Sequence, residues 1–293
     1  IPAPPAAQGI GGDANDQFAA QQPATPGVSI QALEQGTWMD EDSRGIHAHG
    51  TDYKSIFGPQ GLVFTPALGK GAPFNQDFAL QSLDVSRGGA SWQLPSTQPV
   101  REGEMVTFSH RNALERFAIR PEGIEHSYVL HALPDGGDDL VIRHRVETPL
   151  TATSTGGESG VRFQLEGVGG VDVGGVTGID ANGVQFDGEV TFKDGILEYR
   201  LDAADVSAAE LPLTVDPFLS VFNIQVVGND EQNTDLAFDN TNNVWCVAWQ
   251  RNFSGGDSEI RAATLNTSGS VNVSFIAVTN DSVSQLTPRV ANV

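Results

Sequence analysis

Two histidines one residue apart, His47 and His49, with Asp52 close behind, are the residues best suited here to hold a transition metal. On a strand, side chains two apart share a face, so both imidazoles could meet one ion with the carboxylate as a third ligand. The competing reading is a strand end carrying two solvated histidines. Asp135, Asp138 and Asp139 crowd one turn with Gly136 and Gly137, and hard oxygen ligands in a loop suit calcium. Their spacing matches neither an EF-hand loop nor the Gly-Gly-x-Gly-x-Asp nonapeptide, and Asp–Gly pairs form turns without any ion. Trp245 and Trp249 share a parity along an apolar run. They could form a platform for a sugar, although such rings more often fill a core. Calcium excepted, no cofactor is expected.

Catalytic constellations are harder to find. His126, His131 and His144 are scattered, and His144 shares a parity with Ile142 and Val146, the place of a hydrogen-bonded core histidine. Glu125 and His126 are neighbours, but adjacent strand residues point to opposite faces. No Gly-x-Ser-x-Gly elbow exists to expose a serine nucleophile. Gly69-Lys70 is followed by Gly71 and lacks phosphate-loop spacing. The glycine-rich stretch from Gly167 to Gly175 follows no βαβ pattern and reads as a turn. Asn252, Asn266, Asn272 and Asn280 each open an Asn-x-Ser sequon, although Asn and Ser are also common turn residues. No catalytic residue, and no enzyme, is expected.

The charge balance narrows the partners. Sixteen basic and 37 acidic residues give a formal net charge of -21. A binder of nucleic acid or of an anionic membrane surface must neutralise negative charge with Lys and Arg. Both are therefore excluded, and so is membrane insertion, since no stretch has the length of a spanning helix. Other protein subunits, surface components and glycans remain as partners. A single cysteine, Cys246, permits no intrachain disulfide. Disulfides would be expected in an animal secreted protein of this kind, so an exported bacterial protein fits better. Cys246 sits in the run Val244–Trp249 and reads as a small buried hydrophobe with little thiol reactivity.

These side chains must be positioned by strands. Residues 1–27 are rich in Pro, Ala, Gln and Gly, and read as a flexible segment; the opening Ile1-Pro2-Ala3-Pro4-Pro5 looks processed or trimmed. From about Val28 the pattern alternates. Val161, Phe163 and Leu165 interleave with Arg162, Gln164 and Glu166; Val190 and Phe192 interleave with Glu189, Thr191 and Lys193. A period of two puts one set on a buried sheet face. Turn residues such as Pro134-Asp135-Gly136-Gly137 and Asp187-Gly188 interrupt the runs at short intervals, the rhythm of an antiparallel sandwich. The one helical turn expected lies within 203–210. Residues 28–218 thus read as a β-sandwich-like leader.

Beyond Leu211-Pro212-Leu213-Thr214-Val215-Asp216-Pro217 the composition turns to Asn, Ser and Thr. Here Gln232–Phe238 resembles Leu286–Asn292, at an offset of 54 (290 − 236). Strands are expected near 244–250, 259–265 and 271–278. A four-stranded unit of this length has the size of one propeller blade. Residues 219–293 therefore read as a propeller-type repeat, one blade plus the start of the next. A lone blade leaves a sheet edge for strand addition by a neighbour, giving a filament or larger assembly.

Several segments carry a resemblance. Gly123-Ile124-Glu125-His126-Ser127-Tyr128-Val129-Leu130 with Leu133-Pro134-Asp135-Gly136, then Ile179–Gly183, the Leu211–Pro217 run, and Val244–Gln250 followed by Asp257–Ala262, resemble large secreted bacterial surface proteins. Those proteins carry a β-rich leader before FG-GAP-like or related propeller repeats. The resemblance implies export, an extracellular or cell-surface setting and a scaffold or interaction role, and it brings no catalytic residues.

The expectation is an all-β chain, an antiparallel β-sandwich-like leader followed by a partial β-propeller-type module. It would serve as a non-catalytic extracellular structural or interaction protein. The alternatives are a carbohydrate- or calcium-dependent adhesin module and a secreted hydrolase with a loop-built site.

Overall fold

A computed structural model describes residues 36–154, 156–157, 159–223 and 231–291. The Pro/Ala-rich segment 1–27 lies outside them. In chain order the strands begin β1 (Trp38–Asp42), β2 (Gly45–His49), β3 (Tyr53–Gly58), β4 (Gly61–Pro66), β5 (Phe78–Arg87), β6 (Ala90–Gln93), β7 (Val100–Glu102), β8 (Met105–Ser109), β9 (Ala113–Arg120) and β10 (Gly123–Leu130). They continue with β11 (Leu140–Glu147), β12 (Thr151–Ala152), β13 (Gly156–Gly157), β14 (Val161–Leu165), β15 (Gly169–Val173), β16 (Thr177–Ile179), β17 (Gln185–Asp187), β18 (Glu189–Lys193) and β19 (Ile196–Leu201). A short helix α1 (Ala203–Ala208) precedes β20 (Leu213–Asp216), β21 (Phe218–Asn223), β22 (Glu231–Asp239), β23 (Val244–Ser254), β24 (Asp257–Asn266) and β25 (Val271–Ala277).

The chain is all-β, with antiparallel sheets and no closed barrel. One sheet runs β1-β2-β3-β4-β5-β11-β19-β18-β13, with β6 folded back on β5. A second runs β12-β14-β15-β21-β10-β20-β16-β17, and β9, β8 and β7 extend it from the other edge of β10. Their inner faces share one core. Phe57 of the first sheet meets Phe117 of the second at 5.1 Å between ring centroids, and Phe78 meets Phe163 at 5.0 Å.

The alternation that builds this core is visible strand by strand. Ile46 and Ala48 of β2, Tyr53 and Phe57 of β3, and Leu62 and Phe64 of β4 all enter the core. Their neighbours His47, His49, Lys54, Ile56, Val63 and Thr65 therefore lie on the outer face. The tight β1–β2 turn that sets this register needs Gly45. Its φ is +145°, and a Cβ there would stand 2.2 Å from the Phe57 carbonyl oxygen.

Pro217 separates β20 from β21, although both pair with β10. Pro217 has no N–H to give, yet its carbonyl accepts from the His126 N–H at 3.0 Å. The chain changes its other neighbour at this point, from β16 to β15. The helix α1 falls within the expected 203–210 stretch, and Asp202 caps it by accepting from the Ala204 N–H at 2.8 Å.

The third sheet is the meander β22-β23-β24-β25. Trp245, Val247 and Trp249 alternate onto one face with Ala263 and Leu265, and Trp38 of β1 packs against that cluster. Cys246, on the opposite face, is half-buried rather than enclosed; burial still raises its thiol pKa. Among the described residues no helix is long and apolar enough to cross a membrane.

Candidate functional site

The outer face of β2–β4 is covered by the third sheet, and the seam between them is polar. Strand β24 puts Asp257, Glu259 and Arg261 on one parity, and all three are buried. Lys54 of β3 donates to Asp257 Oδ2 at 2.8 Å, to Glu259 Oε1 at 2.5 Å and to the Asp281 carbonyl at 2.7 Å. Arg261 donates to the carbonyls of Thr51 and Gly50 at 3.1 and 3.2 Å. Arg251 of β23 pairs with Asp52 at 2.5 Å and also with Glu231. The ring of Phe253 lies beneath both cations, 4.7 Å from Lys54 Nζ and 5.5 Å from the Arg261 guanidinium carbon. Backbone bonds close the same seam, from Leu68 N–H to the Phe253 carbonyl and from Gly255 N–H to that of Ala72. Burial raises the Glu259 carboxyl, and the Lys54 charge only partly opposes it.

A cleft of about 200 Å³ opens at the end of the seam, lined by Arg44, His47, Lys54, Thr65, Asn75, Asp77 and residues 280–282. His47 and His49 both face this side, and one nitrogen of each is engaged, while His49 Nδ1 is buried without a hydrogen-bond partner. His47 Nε2 lies 2.9 Å from Asp42 Oδ1, and His49 Nε2 lies 3.1 Å from Asn280 Oδ1. Hydrogen bonds from Arg44 and then His47 hold the exposed Asp42 far below the usual carboxylate range. Burial, reinforced by the Arg261 charge, holds His49 neutral, well below the usual imidazole value. Asp52 turns to Arg251. Among the described residues no three His, Cys, Asp or Glu side chains are grouped to hold a metal ion.

Of the three carboxylates in the acidic turn, that of Asp139 is engaged by the protein. Asp139 accepts from the Ala203 N–H at 3.0 Å and pairs with Arg200 at 3.3 Å. The Asp138 carbonyl accepts from Arg87. Asp135 is exposed and stands apart from these contacts. Trp245 and Trp249 are 2% and 0% exposed, which leaves no ring face for a sugar. Of the sequons, Asn252 is fully buried and bonded to Gln250 and Ser258.

A second polar cluster lies inside the sandwich. Glu115 of β9 is buried between the sheets and meets Ser82 at 2.7 Å, His126 Nε2 at 3.0 Å, Tyr128 at 3.1 Å and His110 Nε2 at 3.3 Å. Burial pushes its carboxyl up, but the bonds from His110 and His126 outweigh this and hold it far below the usual range. The partners assign the tautomers. His126 Nε2 faces the carboxylate and carries a proton, and its Nδ1 lies 3.2 Å from the Tyr199 hydroxyl. His144 Nδ1 faces the Leu197 carbonyl, so Nε2 accepts from Tyr128. Glu125, the neighbour of His126, points outward to Arg120.

A crevice of about 20 Å³ beside Ser82, His110 and Glu115 has room for one water molecule. This arrangement does not activate the serine. Ser82 faces a carboxylate held so acidic that it is a poor base, and it makes no bond to an imidazole.

The sequence carried signals for both clusters. Glu115 falls on the apolar parity of Ala113, Phe117 and Ile119, and His126 on that of Ile124, Tyr128 and Leu130. Asp257, Glu259 and Arg261 form a charged stripe with a period of two. Lys54 gives no such signal, because its partners lie about 200 residues away. No model of a known protein family matches the chain, and no curated protein matches it.

Proposed function

We propose that this chain is a non-catalytic structural and interaction protein of the bacterial cell surface or exterior. In this reading the sandwich is the leader, and β22–β25 is the first blade of a propeller-type repeat. One observation carries it: the side chains suited to chemistry are bonded to one another. His47 is engaged by Asp42, His49 by Asn280, Asp52 by Arg251 and Asp139 by Arg200. Two of these pairs, His49 with Asn280 and Asp52 with Arg251, also join the third-sheet unit to the sandwich.

Partners of this reading are other protein subunits. Strand β25 pairs only with β24 among the described residues, and Val271, Val273 and Ile276 are exposed along it, with Val278 just beyond its end. An open edge with apolar side chains suits strand addition by a neighbour. The readings as a glycan- or calcium-binding adhesin, or as a secreted hydrolase, find less support, given the enclosed tryptophans and the pairing of Asp139 with Arg200.

The test has two arms. Purified protein is titrated with calcium and a glycan panel by calorimetry, and incubated with glycan and peptide substrates; silence in each is expected. Turnover abolished by a point substitution would overturn the proposal. Light scattering should show association that rises with concentration and is suppressed by Val273→Lys; a strict monomer at high concentration removes the edge-pairing part.

A further inference from the structure

Lys54 occupies a setting unlike an ordinary ion pair. Its side chain is 10% exposed, that of Asp257 3% and that of Glu259 0%. The ammonium touches both carboxylates, and the Phe253 ring closes one side. Asn75 Nδ2 donates to the same Asp257 Oδ2 that Lys54 reaches, at 2.5 Å. The other oxygen, Asp257 Oδ1, is buried without a hydrogen-bond partner. A full carboxylate charge with one bare oxygen is poorly served by such a place.

We infer that Lys54 and Asp257 become joined by an intramolecular amide bond, with Glu259 carrying the protons. The reaction is a condensation. A proton leaves Lys54 Nζ through Glu259 and reaches the Asp257 carboxylate. The amine lone pair then attacks Asp257 Cγ and forms the C–N bond. Glu259 takes a second proton from nitrogen and gives it to the departing hydroxyl, which leaves as water. One ammonium and one carboxylate become one amide and one water, and Glu259 ends as it began. Burial of Glu259, which raises its proton affinity, suits it to this shuttle.

The product removes the bare oxygen of the ion pair and gives up the bond from Lys54 to the Asp281 carbonyl. The unpartnered Oδ1 departs. Oδ2 remains as the amide carbonyl, still accepting from Asn75. The one remaining N–H is left for Glu259. Two buried charges disappear, and β3 is tied to β24 across 203 residues of sequence. The bond would lock the third sheet to the sandwich whether or not the protein is extracellular, so it stands apart from the functional reading above.

Mass spectrometry of the folded full chain tests it. The intact mass should fall short of the sequence mass by one water. A tryptic digest should contain one branched peptide joining the segments around Lys54 and Asp257, with no cleavage after Lys54. An intact mass equal to the sequence mass overturns the inference without any variant. A mass one water short with the two peptides separate also overturns it, since that is a cyclised aspartate. Glu259→Gln should restore the full mass; if it remains cross-linked, the role given to Glu259 is wrong.

Discussion

Glu115 accepts a hydrogen bond from His126 at 3.0 Å in the middle of the sandwich core, and each needs the other to be there. The carboxylate is charged and 5% exposed, so it depends on the donors that surround it. Those donors come from β5, from β10 and from the turn before β9, so one side chain stitches the two sheets together.

Removing that side chain should be costly. Glu115→Ala strands the donors of Ser82, His110 and His126 between the sheets. Losing one partner of a buried charged cluster typically costs about 3 kcal/mol or more. The urea midpoint should fall accordingly, and Glu115→Gln should lose less because it keeps the shape and one acceptor. The carboxyl is held below its ordinary value of 4.5. Its contribution is therefore complete above about pH 4.5 and is lost as the pH falls below that.

His144 should make the fold sensitive to mild acid. Burial, helped by the nearby His126, lowers its pKa to about 3 from the ordinary 6.5. The unfolded chain then binds a proton that the folded chain refuses. Stability from this site is full above pH 6.5 and falls as the pH drops toward 3, by about 1.4 kcal/mol per pH unit. Urea midpoints measured between pH 7.5 and 5 should decline, and His144→Gln should flatten the slope. An equal slope in the variant would remove His144 as the cause.

The strands, the helical turn at 203–208 and the placement of His144 were legible in local sequence because they follow from a period of two and from turn chemistry. Val244–Ser254, Asp257–Asn266 and Val271–Ala277 fall where alternation puts them. The seam was not legible. His47 and His49 share a face as expected, but what covers that face comes from residues 251–281, and no local pattern names a partner so distant. Asp52 reads as a free ligand until Arg251 is placed beside it. The tryptophans could be read either as platform or as core, and only the third sheet's packing on Trp38 decides between the two.

Asp216 acts in the opposite sense to His144. Burial, and then the charge of Glu125, raises its pKa to about 6 from 3.8. Its Oδ1 is buried without a partner. Here the folded chain binds the extra proton, so the contribution is full below pH 3.8 and is lost as the pH rises through about 6. Asp216→Asn mimics the protonated form and should raise the melting temperature at pH 7 but not at pH 4. Because the residue is partly solvated, the gain should be modest. A loss at pH 7 would mean that the carboxylate has a partner there.

Arg261 should decide whether the two units unfold together. It is fully buried and donates to the carbonyls of Gly50 and Thr51 across the seam. Arg261→Met keeps most of the apolar stem and removes the bonds to Gly50 and Thr51. Two hydrogen bonds to a charged group, offset by the relief of desolvation, suggest a loss of about 2–3 kcal/mol. The wild-type chain should unfold in one transition. In the variant, fluorescence from Trp245 and Trp249, which report on the third sheet, should change at lower denaturant than the far-ultraviolet signal dominated by the sandwich. Coincident transitions at the wild-type midpoint would mean that the seam does not couple them.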